Sequence, residues 1–379
     1  MLIALEGVVG GTLRHLDCLL RYADPREFDI HLAVSARRAP HVREDFRRWS
    51  EAGWRVHDIP MQREPRPADD LRAFREILSL CRRERFDVMH THCAKAGFLG
   101  RLAGRLTGAR TIHTPHVFPF SHVGGERARA VFLAAERLAA RWTDRFVLLS
   151  NFQLNVLLET RLADAGRAVI VPNGIVPEEF AGREQHTARR ELGLGEGARV
   201  ALFAGRFCAQ KGLDVLLDAA APLRGRVPAA QIVIVGEGPL ERRLRRQVAA
   251  RALGDVVSVH GRTDRMPLYY AACDLLVMPS RAEGMPYVLL EAKAAARPTV
   301  ATLVCGMEEF ITHGVDGFLV PPENPDALAA TLSQALAEPE VLREMGARAR
   351  ESFRDAWRAD RSAHRTYELY RDVAAGGRS

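Results

Sequence analysis

Two carboxylates seven residues apart, Glu283 and Glu291, frame the segment Glu283-Gly284-Met285-Pro286-Tyr287-Val288-Leu289-Leu290-Glu291. The segment follows an apolar run, 274–279, of the kind buried on both faces of a parallel sheet. Pro286 suits the first residue of a helix, where its missing N–H costs nothing. Glu283 is therefore expected in a loop and Glu291 inside the helix. A helix N-terminus at the carboxyl ends of parallel strands attracts anions, and two acids beside it suit hydroxyl groups rather than phosphates. Arg206 and Lys211 follow another apolar run and offer a planar fork and a point charge of the kind that grips a diphosphate. Gly236-Glu237-Gly238 imitates a dinucleotide fingerprint without its third glycine. It suits either backbone contact to a nucleotide or a plain tight turn.

The first half carries its own candidates. Gly10 and Gly11 lead into a helix expected over 12–22, and they either bring backbone N–H groups close to a phosphate or sugar or simply make a turn. His15 on that helix suits a core or capping role as well as an acceptor contact. His90, His92 and Lys95 lie together in His-Thr-His-Cys-Ala-Lys. His113 falls inside an expected strand and should be packed; His116 falls just after it. No carboxylate or cysteine completes a metal set with His90 and His92. The six cysteines are scattered without C-x-x-C, and the chain has no Asp-x-Asp pair to hold a divalent ion against a diphosphate. No metal and no cofactor is expected.

The elements that must position these residues alternate. Strands are expected over 1–6, 31–34, 87–90, 111–114 and 145–149, and again over 199–204, 231–235, 256–260, 274–278, 299–302 and 317–320, with helical stretches between them, the pattern of doubly wound parallel sheets. A length of 379 residues exceeds what one core usually organises. Two α/β domains are expected, 1–172 and 173–355, with a linker near Pro-Asn-Gly at 172–174 and an amphipathic, Arg-rich final stretch from 352 to 375. The formal charge of +7 comes from the first half. It marks either a solvated, Arg-rich surface or attraction to anionic lipid or a phosphorylated acceptor. Few aromatics are interleaved with the basic residues, which disfavours nucleic acid. No run reaches the roughly 20 apolar residues of a membrane span, and the apolar start is too short for a signal peptide, so a cytoplasmic protein, peripheral at most at the inner face of the membrane, is expected. Only Lys95, Lys211 and Lys293 are lysines among 54 basic residues. They are expected where a compact ammonium is needed.

The stretch 274–322 closely resembles the C-terminal half of the retaining, nucleotide-sugar-dependent glycosyltransferases of family 4, whose hallmark is this E-x7-E segment. The resemblance extends through Gly10-Gly11 with His15, His90-Thr91-His92, 114–120, Pro172-Asn173-Gly174, Gly205-Arg206 with Lys211-Gly212, and Gly236-Glu237-Gly238-Pro239. It implies a GT-B fold, two Rossmann-like domains facing each other across a cleft, with the acceptor on the first, the sugar nucleotide mainly on the second, and a C-terminal helix, 356–379, crossing back to the first. By the same resemblance, Arg206 and Lys211 hold the leaving diphosphate, Glu291 the ribose hydroxyls, and Glu283 and His116 the donor sugar. Gly284, Met285, Pro286 and Glu309 line the donor site, and His15, His92 and Lys95 lie on the acceptor side. It further implies a UDP- or GDP-sugar donor, a lipid-linked or glycan acceptor and work in envelope or exopolysaccharide assembly. A nucleotide-sugar epimerase of similar fold and a transferase acting on a soluble small molecule are the alternatives. Val117, Lys293, Ala296 and Cys305 depart from the family's usual glycine, methionine, glycine and glycine. Cys305 is expected to narrow the donor pocket.

Overall fold

The structure is a computed structural model that describes residues 1–62, 64–121 and 124–376. The chain divides into two units: Met1–Gly174 with the C-terminal helix Ala359–Ala375, and Ile175–Arg358.

The first unit is built on seven parallel strands: β1 (Leu2–Leu5), β2 (His31–Val34), β3 (Arg55–Asp58), β4 (Val88–His92), β5 (Arg110–Thr114), β6 (Arg145–Leu148) and β7 (Ala168–Ile170), in the order β3-β2-β1-β4-β5-β6-β7. Strands β1, β2 and β4 are buried along their whole length, as fits a sheet covered on both faces. Leu5 pairs with His92, and His92 with Thr114, so these three strands end level. On one face the helix Lys95–Thr107 lies close to the sheet. A Cβ at Gly97 or Gly100 would stand 2.6 Å from the side chains of His113 or Thr91, so glycine is what lets the helix approach. On the other face pack the helices Gly11–Arg21 and Ala359–Ala375, joined where Tyr367 donates to the Leu19 carbonyl at 2.7 Å.

The second unit has six parallel strands: β8 (Arg199–Ala204), β9 (Ala230–Val235), β10 (Val257–His260), β11 (Leu275–Met278), β12 (Thr299–Thr302) and β13 (Gly317–Val320), in the order β10-β9-β8-β11-β12-β13. Its core joins Leu216, Leu217 and Ala220 of the helix Leu213–Arg226 to Ile232, Ile234 and Val277 of the sheet. In both sheets the strand order reverses beside the first strand, between β1 and β4 and between β8 and β11. The carboxyl ends at such a reversal are where open α/β sheets bind ligands.

Several expected boundaries move. The first helix begins at Gly11 and ends at Arg21. β4 runs past His90 to His92 because its backbone pairs on both sides, whatever its side chains. The edge strands β3 and β7 were not expected: β3 reads Arg-Val-His-Asp with exposed ends and carries no apolar signal, and β7 is apolar but only three half-buried residues long. The final helix, expected from 356, begins at Ala359. A helix Pro339–Glu351 is followed by a 3-10 turn, Asp355–Trp357, before Ala359 begins the last helix.

Candidate functional site

In the second unit the candidate residues stand on the loops that leave β8, β9, β11 and β12, four neighbours in the sheet. After β8, Gly205 and half-buried Arg206 lead into a 3-10 turn, Ala209–Lys211, closed by Gly212. Gly212 is left-handed (φ 63°), and a Cβ there would stand 1.9 Å from the Pro279 carbonyl oxygen. This contact seats the turn on the loop that follows β11. Two hydrogen bonds fasten it: the Arg281 N–H donates to the Gln210 carbonyl at 2.8 Å, and Gln210 Nε2 donates to the Ala282 carbonyl at 2.8 Å. Arg281 adds ion pairs to Asp214 and Glu323.

The chemistry is carried by what this seating brings together. Lys211 Nζ lies 2.6 Å from Glu283 Oε1, and Ser280 Oγ donates to the same oxygen at 2.6 Å. Glu283 is 7 % exposed, so its charge is compensated by Lys211 rather than by water. The two residues assigned separately to phosphate and sugar form one ion pair. Gly284, Met285 and Pro286 beside them are buried. The helix after this loop spans Tyr287–Ala294, one residue later than expected, and Pro286 is its N-cap with extended backbone (φ −76°, ψ 127°). The proline is outside the helix because Leu289 donates back to the Pro286 carbonyl, the first bond of the helix. β11 likewise starts at Leu275, since the Asp274 carboxylate is turned to Arg189 and to the Val200 N–H, each at 2.7 Å.

Glu291, one turn into the helix, is 2 % exposed and accepts from Tyr270 at 2.7 Å. Gly236 and Gly238 follow β9, with Glu237 half-buried between them. A Cβ on either would run into Gly205 or Phe207 at 1.9 and 2.5 Å, and Phe207 exchanges hydrogen bonds with Glu237 and Leu240. The two glycines thus let the β8 and β9 loops touch. After β12, Cys305 (φ 50°) places its thiol against the Glu283 backbone, and burial pushes that thiol up from its ordinary value. Half-buried Glu309 ends the adjoining 3-10 turn, Met307–Glu309.

In the first unit Gly10 (φ 58°) and Gly11 are exposed at the N-terminus of the helix that carries His15. His15, on that helix, His92, at the end of β4, and His116, just after β5, reach one another. His92 Nδ1 stands 3.1 Å from His116 Nε2, and the His15 ring centre lies 5.1 and 5.0 Å from those of His92 and His116. Linear spacing does not show this trio. It corrects the sequence reading, which weighed His90 and His92 only with their neighbours. Burial lowers His15 to about 4 and holds His92 and His116 well below the usual histidine range. His116 itself occupies the left-handed region (φ 56°), so the turn that the family's glycine usually makes here is formed one residue earlier than Val117. His90 bonds Tyr370 at 2.6 Å and Thr114 at 2.8 Å, and His113 packs beneath the Lys95–Thr107 helix against Thr91. Lys95 donates to Asp70 and to the Glu64 carbonyl, both at 2.6 Å. Ser280, Gln210, Tyr270 and Tyr370 were not singled out from sequence; only Ser280, three residues before Glu283, left a local signal.

Two family models match the chain, one described as "Glycosyltransferase Family 4" over residues 9–179 and one as "Glycosyl transferases group 1" over 184–352. A D-inositol 3-phosphate glycosyltransferase of Thermobispora bispora is 32 % identical over 76 % of this chain and 71 % of its own. A UDP-Gal:alpha-D-GlcNAc-diphosphoundecaprenol alpha-1,3-galactosyltransferase of Escherichia coli is 27 % identical over 80 % of each. Among solved structures, Anabaena HepE in complex with UDP-glucose shares the fold with a TM-score of 0.79 at 18 % identity, over 98 % of this chain and 99 % of that one.

Proposed function

The chain belongs to glycosyltransferase family 4, a GT-B enzyme, and on that premise we propose that it moves a sugar from a nucleoside diphosphate donor to an acceptor hydroxyl with retention of anomeric configuration. The observation that carries this reading is the seating of the Arg206–Gly212 loop on the Glu283 loop, which sets two cations and a compensated carboxylate at one strand reversal. Arg206 and Lys211 neutralise the charge that grows on the departing diphosphate, work that other transferases give to a divalent ion. The acceptor oxygen bonds to the anomeric carbon on the face from which the phosphate oxygen departs, and that phosphate oxygen takes the acceptor's proton. Glu291, held by Tyr270, accepts from the ribose hydroxyls, while Glu283 and His116 contact the transferred sugar. Gly236 to Gly238 and Glu309 border the nucleotide. No metal takes part in the transfer.

The donor is a UDP- or GDP-sugar, and the acceptor is a lipid-linked glycan intermediate. The Escherichia coli relative's diphosphoundecaprenol acceptor supports this, as does the helix Glu126–Ala140, which exposes Val131 and Leu138 beside Arg127, Arg129 and Arg137. An apolar face flanked by arginines suits reversible attachment to an anionic bilayer. No helix among the described residues is long and apolar enough to cross a membrane.

Thermal unfolding of the whole chain with a panel of UDP- and GDP-sugars in EDTA tests the donor class. A ligand at 100 times its dissociation constant stabilises by roughly 2.7 kcal/mol. One or more nucleotide sugars should raise the melting temperature. Stabilisation by nicotinamide dinucleotides and by no nucleotide sugar would overturn the reading.

A further inference from the structure

Histidines from the helix after β1, the end of β4 and the turn after β5 converge in the first unit, and one nitrogen from each of His15, His92 and His116 lies within 4.8 Å of the other two. In a tetrahedral zinc site, metal–nitrogen bonds of about 2.0–2.1 Å put the ligand nitrogens about 3.3 Å apart. The 3.1 Å separation of His92 Nδ1 from His116 Nε2 is already close to that figure. Gathering all three rings around one ion requires side-chain movements on the order of 1 Å.

A self-contained hydrogen-bond network does not account for the trio. His15 Nε2 is buried and has no hydrogen-bond partner among the described residues. Leaving a buried polar atom unsatisfied costs about 1–3 kcal/mol. The neighbouring histidines differ: His90 uses both ring nitrogens, on Tyr370 and Thr114, and His113 bonds Thr91. Burial also keeps the three rings neutral, the form of imidazole that ligates metals.

We propose that His15, His92 and His116 form a binding site for one divalent transition-metal ion of the Zn²⁺ class, with three imidazole nitrogens and a fourth position open to water or another oxygen ligand. A set of neutral nitrogens without a carboxylate selects Zn²⁺, Co²⁺ or Cu²⁺ over Mg²⁺ or Ca²⁺. The site shares His116 with the transferase reading and uses neither Arg206 nor Lys211, and no step of the transfer proposed above runs through the ion.

The test uses the full chain, stripped with a chelator, dialysed and titrated with Co²⁺ while visible absorption is followed, with no sugar nucleotide present. The expected result is one Co²⁺ per chain with the intense bands of a four-coordinate ion. His15→Gln and His92→Gln should each weaken it by more than the roughly 10–100-fold lost with an outer-shell partner, while His31→Gln in β2 leaves it unchanged. No uptake, or uptake unaltered by both His15→Gln and His92→Gln, would overturn the site. A second measurement covers variants that fail to fold: X-ray absorption of the Zn²⁺-loaded wild-type chain should count three imidazole neighbours, and one or none would overturn the assignment. Because no step reads transfer, failure here is distinct from failure of the transferase reading.

Discussion

Lys211→Met removes the cation that compensates Glu283, and the structure sets the size of the effect. The pair is 2.6 Å apart with side chains 19 % and 7 % exposed, and among the described residues Glu283 keeps only Ser280 on the oxygen that Lys211 held. Breaking a buried pair from one side costs about 3–5 kcal/mol, against about 0–1 kcal/mol for an exposed pair. The partial exposure of Lys211 puts the expectation at the lower end, about 3 kcal/mol, or a little over a hundredfold in local opening. Removing both charges in Lys211→Met/Glu283→Gln should restore most of that stability, since no buried charge is left behind. Hydrogen exchange of the whole chain, read on β11 and the helix Tyr287–Ala294, measures it segment by segment. In transfer assays each single variant should lose roughly 100-fold in turnover, and the double variant much less than the product of the two losses. A cost below about 1 kcal/mol for Lys211→Met, or additive effects on stability, would refute the claim that the two residues act as a unit.

Arg206→Ala should lower turnover roughly 100-fold, whereas Glu291→Ala should weaken nucleotide binding by about 1.5–3 kcal/mol; calorimetric titration with UDP and GDP separates the two, and unchanged affinity for both would remove Glu291 from the nucleotide site. Ala296→Gly should stabilise the chain by about 0.5–1 kcal/mol, because Ala296 sits at φ 55°, where a side chain costs about 1–2 kcal/mol and glycine's extra entropy takes back part of the gain. A lower melting temperature for Ala296→Gly would contradict this. The whole chain should sediment with anionic vesicles at low salt and leave them at high salt, since each basic residue near such a surface contributes about 1 kcal/mol. Equal sedimentation with neutral vesicles would dismiss the lipid surface.

Apolar strands were legible in the sequence: β8, β12 and β13 were expected with the ends they have. The edges of the first sheet, β3 and β7, were not, and β3 shows why: an edge strand needs no apolar face. β4 was cut short at His90 for a related reason. Its polar His-Thr-His end reads as a loop, although backbone pairing carries it on. The rarity of lysine was a usable signal. All three lysines sit in ion pairs, Lys95 with Asp70, Lys211 with Glu283 and buried Lys293 with Asp316. The chain thus keeps its few ammonium groups for compact pairing, and Lys293 replaces the family's methionine by carrying Asp316 and Ser352 with it. What stayed hidden depends on register. His15, His92 and His116 are far apart in the chain, and the helix after β1 together with the level ends of β4 and β5 brings them together. The glycines at 236 and 238 were visible as a motif, yet their contact with Gly205 and Phe207 follows from which strands are neighbours.

The central claim, transfer from a nucleotide sugar with retention and without a metal, is tested most directly by the anomeric configuration of the product. The full chain is incubated in EDTA with an α-linked UDP- or GDP-sugar and a diphosphoundecaprenol-linked sugar acceptor, and proton NMR of the new glycoside reads its anomeric coupling. An α-linked product at an undiminished rate in EDTA is the predicted result. A β-linked product, a rate that returns only when a divalent ion is added back, or epimerisation of the free nucleotide sugar without transfer would contradict it.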